Sequence, residues 1–113
     1  MWQKAISAVN GGSGLPDYVK YEEFDRGSQT GTFTWDVGFA PKVVAVKWAY
    51  NGSDMDLFWG EQYPSKSLQA YSNGSTYWHT LGASDGSSPV IDGISGNVIT
   101  FKGGGNYCCV AIG

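Results

Sequence analysis

Few side chains in this sequence are equipped to make or break bonds. The single histidine, His79, stands in Tyr77-Trp78-His79-Thr80. A serine–histidine–acid relay would have to use it, yet no G-x-S-x-G elbow accompanies it, and Gly52-Ser53 and Gly74-Ser75 read as turns. Two carboxylate pairs could serve glycosidic chemistry: Glu22 with Glu23, and Asp54 with Asp56. Neighbours on a strand face opposite ways, which separates Glu22 from Glu23. Asp54 and Asp56 share a face beside a turn, where carboxylates are usually solvated. They also offer hard oxygens to calcium, but without the central glycine and closing glutamate of an EF-hand loop. Cys108 and Cys109 are adjacent, so a disulfide between them is strained. With one histidine they make no tetrahedral zinc set, and both read as small buried apolar residues. Lys102-Gly103-Gly104-Gly105 opens no helix, which argues against a phosphate cradle. No catalytic, metal or cofactor set assembles, and the expectation is a protein that is not an enzyme.

Aromatic residues are the remaining chemical resource, at 15% of the chain with five Trp. Alternation places Trp35 and Trp48 in the core. Trp59, Tyr63, Tyr71, Tyr77 and Trp78 fall in or beside an irregular middle stretch. Exposed rings on a rigid β scaffold can stack on the flat apolar faces of sugars. Trp59, Tyr63, Tyr71 and Trp78 are the candidate stacking set. The competing reading is core plus subunit interface, since Tyr and Trp also dominate interfaces.

The scaffold itself is legible. A chain of 113 residues fits one domain. Seventeen glycines, many aromatics and only 15% charged residues fit a β protein rich in turns. Gly31–Val37 alternates, with Phe33, Trp35 and Val37 on one face. Lys42–Tyr50 is apolar on both faces and reads as a central strand. Asn51-Gly52 turns the chain, and Met55–Trp59 returns antiparallel. Asn73-Gly74 turns into 76–81. Val90–Ile94 and Asn97–Lys102 follow. Gly103–Gly105 reads as a tight hairpin setting the last strand, Tyr107–Ile112, beside the one before it. Asn51-Gly52-Ser53 and Asn73-Gly74-Ser75 match the glycosylation acceptor pattern but read better as hairpin turns. The pattern predicts one antiparallel β-sandwich, jelly-roll-like, over residues 15–113. Ahead of it, residues 1–14 form a separate segment. Trp2, Ile6 and Val9 share one face of a short helix, on a joint of Gly11-Gly12-Ser13-Gly14. Those three residues are candidates for docking on a partner or a sister subunit.

Charge removes other functions. The net charge is −3 and the seven basic residues are scattered, which excludes a phosphate-backbone footprint. No apolar run approaches the ~18 residues of a membrane span. No apolar core of a leader and no cleavage site appear near the N-terminus, so synthesis in a cytoplasm is expected.

Three stretches together resemble a known family. Gly31-Thr32-Phe33-Thr34 leads into Gly38-Phe39-Ala40-Pro41-Lys42-Val43-Val44-Ala45-Val46. Asn97–Lys102 forms a penultimate strand, and the chain ends in Tyr107-Cys108-Cys109-Val110-Ala111-Ile112-Gly113. The first stretch resembles the G-T-F-T … G-F-x-P-K-x-V-x-V segment, and the last the Y-x-Y-x-A-I-G ending, of tail-associated minor structural proteins of bacteriophages and prophages. The likeness covers residues 31–46 and 97–113, and Cys109 stands where the family tends to have an aromatic. The resemblance implies a virion protein working by assembly and host-surface adhesion. It implies a homo-oligomer, a trimer by analogy with tail fibres, with other virion proteins and host glycans as partners.

Overall fold

The computed structural model describes residues 16–83 and 89–113. Residues 1–14, with the docking candidates Trp2, Ile6 and Val9, lie outside the described residues. Period-2 alternation becomes nine strands: β1 (Val19–Asp25), β2 (Thr32–Asp36), β3 (Val43–Tyr50), β4 (Ser53–Gly60), β5 (Lys66–Tyr71), β6 (Thr76–Thr80), β7 (Val90–Ser95), β8 (Val98–Lys102) and β9 (Asn106–Ile112). They form two antiparallel sheets, one ordered β1-β9-β3-β4-β5-β6 and the other β2-β8-β7. The chain is all-β, as its composition predicts, and the two sheets pack face to face as a β-sandwich.

Burial follows strand parity. From the large sheet, Tyr107, Cys109 and Ala111 of β9, Val44 and Val46 of β3, and Met55, Leu57 and Trp59 of β4 point inward. From the small sheet, Trp35, Ile91, Ile99 and Phe101 meet them. Each of the larger of these side chains contributes roughly 1.5–3 kcal/mol by leaving water. The doubly apolar β3 and β9 are interior strands, β3 between β9 and β4, and β9 between β1 and β3. Asn51 and Gly52 both take positive φ, 50° and 81°, the signature of a type I′ hairpin turn.

One expectation needs correction. Gly103–Gly105 is not a hairpin between β8 and β9. Those strands belong to different sheets, and the three glycines carry the chain across the sandwich. Beside them the β1–β2 connection makes the same crossing, because β1 pairs with β9 while β2 pairs with β8. The crossings are laced together. Gly105 N–H donates to Gly27 O at 2.8 Å, Arg26 N–H to Gly105 O at 2.8 Å, and Gly103 N–H to Gly31 O at 3.0 Å. The Trp48 indole N–H donates to Gly104 O at 2.6 Å.

Side chains have no room there. A Cβ on Gly104 would sit 2.5 Å from Gly27 O and 2.6 Å from Gln29 O. One on Gly105, where φ is +97°, would meet the Trp48 ring and lie 3.1 Å from Ala49 O. Gly38 has a similar φ of +82° but nothing within 4 Å of an added Cβ. Gly105→Ala is therefore expected to destabilise by about 2–4 kcal/mol, strain and overpacking together, and Gly38→Ala by about 1–2 kcal/mol from strain alone. Urea unfolding of the two variants checks the contrast.

Core titration makes a second prediction. Burial holds the Cys109 thiol well above its ordinary 9.0, and the neighbouring Cys108 and Glu22 add to the effect. Burial, and then Cys109, raise Tyr107 in the same way, with Arg26 opposing. Both groups lose their protons more readily in the unfolded chain. Their contribution to stability is complete below about pH 9 and falls as the pH rises beyond it. The urea midpoint should drop above that pH, and Cys109→Ala should flatten part of the slope.

Candidate functional site

The four stacking candidates do not form one platform. Trp59 shares parity with Met55 and Leu57, so it points into the core and is 6% exposed. Its indole N–H donates to Pro64 O at 3.1 Å. It is a core residue, not a surface for a ligand. Tyr63 and Trp78 meet on the outer face of the large sheet, edge to face at 5.9 Å. Lys66 Nζ lies 5.3 Å from the first ring centroid and 4.6 Å from the second, so the ammonium binds both π faces. Tyr71 lies on the inner face, stacked on Tyr77 at 5.6 Å, with the two hydroxyls sharing a 2.6 Å hydrogen bond.

Other residues meet at one end of the sandwich. A cleft of about 550 Å³ opens where the β1–β2, β3–β4 and β5–β6 connections converge. Trp48, Tyr50 and Tyr71 supply its aromatic wall, Gln29 and Asn73 supply amides, and Asp54 stands at the rim with its carboxylate paired to Lys47. Antiparallel order explains the convergence, because β3 and β5 run the same way and their hairpins close at the same end. Trp48 is held by its bond to Gly104 O, so the glycine crossing also positions the cleft wall. Asn73 Oδ1 accepts from Ser75 N–H at 2.9 Å, which fixes that turn.

Of the stacking candidates nominated from sequence, only Tyr71 lines this cleft. The missed residues carry a signal in hindsight. Tyr50-Asn51-Gly52-Ser53 and Tyr71-Ser72-Asn73-Gly74-Ser75 both place a tyrosine just before an Asn-Gly turn. The two turns, legible separately, become neighbours only through the sheet order.

The acid candidates go elsewhere. Asp54 and Asp56 both face Lys47, at 3.6 and 3.4 Å. Asp54 is the single carboxylate on the cleft lining, so the cleft holds no pair of acids flanking a bond. Glu22 and Glu23 point to opposite sides of β1, as strand parity requires. Cys108 donates its thiol to Glu23 Oε1 at 3.6 Å. Burial and Glu23 together push that thiol up, against an opposing bond from Tyr21. Cys109 is buried, and both cysteines are free. Among the described residues, no three His, Cys, Asp or Glu side chains converge as metal ligands. His79 is buried on the inner face of β6, across from Ser67 of β5.

The chain matches no protein-family model, no curated protein and no solved structure to which it was compared.

The two tryptophans nominated together should behave in opposite ways. Trp78, 51% exposed, should yield readily to acrylamide, and Trp78→Phe should lower the quenchable share of the emission. Trp59→Phe should raise that share, because a shielded emitter is removed, and should lose a buried hydrogen bond, at about 1–2 kcal/mol. Stern–Volmer plots and urea curves of both variants check this.

Proposed function

We propose that the chain is a non-enzymatic, tail-associated structural protein of a bacteriophage or prophage virion, and that it contributes adhesion by binding glycan in the end cleft. The cleft carries the adhesive part of this reading. Three aromatic rings beside the amides of Gln29 and Asn73 provide what a sugar offers partners for: flat C–H faces and vicinal hydroxyls. The wall is also pre-ordered, since Trp48 is tied to Gly104 and Tyr71 to Tyr77. Little ordering cost then falls on binding.

The assembly part rests on the resemblance. Its two stretches, far apart in sequence, form one unit in space. Phe39 packs on Gly113, where an added Cβ would lie 2.5 Å from the ring. Lys42 N–H donates to Ile112 O at 2.6 Å. The G-F-x-P-K and A-I-G motifs thus have a shared structural reason.

A glycan array followed by titration tests the adhesive reading. Tyr50→Ala and Tyr71→Ala should each weaken binding roughly tenfold, about 1.4 kcal/mol. Trp78→Ala, on the other face, should leave it unchanged. Folded cleft variants that bind as the parent does would remove the cleft from the reading. Light scattering on the full chain tests assembly: a defined trimer supports it, and a monomer leaves an isolated carbohydrate-binding module.

A further inference from the structure

The outer face of the large sheet carries a band that no strand of the sandwich covers. In register across all six strands run Tyr21, Val110, Ala45, Phe58, Leu68 and Trp78. Beside this row lies a second, of Val19, Ile112 and Val43, which turns polar at its far end in Lys66 and Thr80, where the Lys66 ammonium lies over the Trp78 ring. Trp78, Val43, Phe58 and Ile112 are 51, 44, 40 and 37% exposed. The rows then turn polar: Glu23, Cys108, Lys47, Asp56, Ala70 and Thr76 come next. The outer face therefore has an apolar half and an acidic half. In the acidic half Glu23, Asp25, Asp54 and Asp56 outnumber the single Lys47, a net −3.

The area decides what fits. Six strands spaced ~4.8 Å apart, and two rows ~7 Å apart, give a band on the order of 400 Å². A stable dimer needs about 800 Å² from each partner, so two bands stacked face to face are undersized. A tethered segment needs far less, because its effective concentration is already high.

We propose that the band is the docking surface of this chain's own residues 1–14. That segment brings Trp2, Ile6 and Val9 for the apolar rows. Lys4, its one charged side chain, suits the acidic half beside them. The described chain begins at the right corner. Val19 opens β1 at the sheet's edge and is the first residue of the band, opposite Ile112. Behind Val19 the chain first turns, with Val19 N–H donating to Pro16 O at 3.0 Å, and from Pro16 back to Val9 it reaches about 23 Å when extended, enough to bring Val9 over the middle of a sheet ~24 Å across. The glycine joint at 11–14 supplies the reversal. This assignment does not depend on the proposed function.

A nitroxide on Ser7→Cys, in a full-length chain that also carries Cys108→Ser, tests it by NMR. Amides of Ala45, Phe58, Leu68 and Trp78 should lose most of their intensity, while those of Phe33 and Ile99 in the small sheet keep theirs. Phe58→Ser, with chemical shifts elsewhere preserved, should restore much of the signal at Leu68 and Trp78. Spin-labelled chains mixed with isotope-labelled, unlabelled-at-Ser7 chains should show no loss. Loss in the mixture as well would place the segment on a second copy and overturn the assignment. Uniform loss, no loss, or indifference to Phe58→Ser would overturn it as well.

Discussion

Everything in this sandwich passes by the three glycines at 103–105. Two connections cross between the sheets side by side there, and they touch backbone to backbone. That contact is possible only without Cβ atoms: Gly104 lies against Gly27 O and Gln29 O, and Gly105 against the Trp48 ring. The reward is a set of short hydrogen bonds joining the crossing strands, with the Trp48 indole N–H added to them. The small sheet is thereby fixed over β1 and β9, where Phe24 meets Phe33 at 5.2 Å and Phe101 meets Tyr107 at 5.6 Å. Glycine costs backbone entropy in the unfolded chain. Here that cost is offset by the core that the close crossing closes.

The unequal division of strands, six against three, sets the rest of the surface. Three strands cannot cover six, and β7, the last of them, reaches β4. The inner side of β5 and β6 is nonetheless buried and polar, with Ser67, Gln69 and His79 where β3 and β4 carry Val, Met and Leu. Ser67 Oγ and both amide atoms of Gln69 have no hydrogen-bond partner among the described residues. Burying such groups costs of order 1–3 kcal/mol each, and this flank is the least well compensated part of the interior. At its open end Tyr71 and Tyr77 bond to each other and form one wall of the cleft. The same sheet that leaves its inner flank polar presents an apolar band outside, an inversion of the usual pattern for a sheet with one solvated face.

Much of this was present in the residues themselves. The alternation of Phe33, Trp35 and Val37, the two apolar faces of β3 and β9, and the Asn51-Gly52 turn each state a local rule, and each element formed where its rule placed it. Parity alone separated Glu22 from Glu23 and put Asp54 with Asp56. Parity also marks Trp59 as interior once β4 is seen to begin at Ser53, since Met55, Leu57 and Trp59 then share a face. Its position beside an irregular stretch obscured this. The reading of Gly103–Gly105 as a hairpin failed for a different reason. A run of glycine tells that the chain must turn or be approached closely, but not whether its flanking strands pair.

The sequence by itself determined most of the strands, β5 in the irregular middle excepted, and for those strands which face is apolar. These are short-range consequences of side-chain period and backbone freedom. Only the tertiary structure decided which strands are neighbours. That choice sent β8 and β9 to different sheets and brought the Tyr50 and Tyr71 turns to one cleft. It also aligned Tyr21, Val110, Ala45, Phe58, Leu68 and Trp78 into one row. Neighbourhood depends on pairing between residues distant in sequence, and those pairings are set by how whole sheet faces pack, a property that no single segment carries.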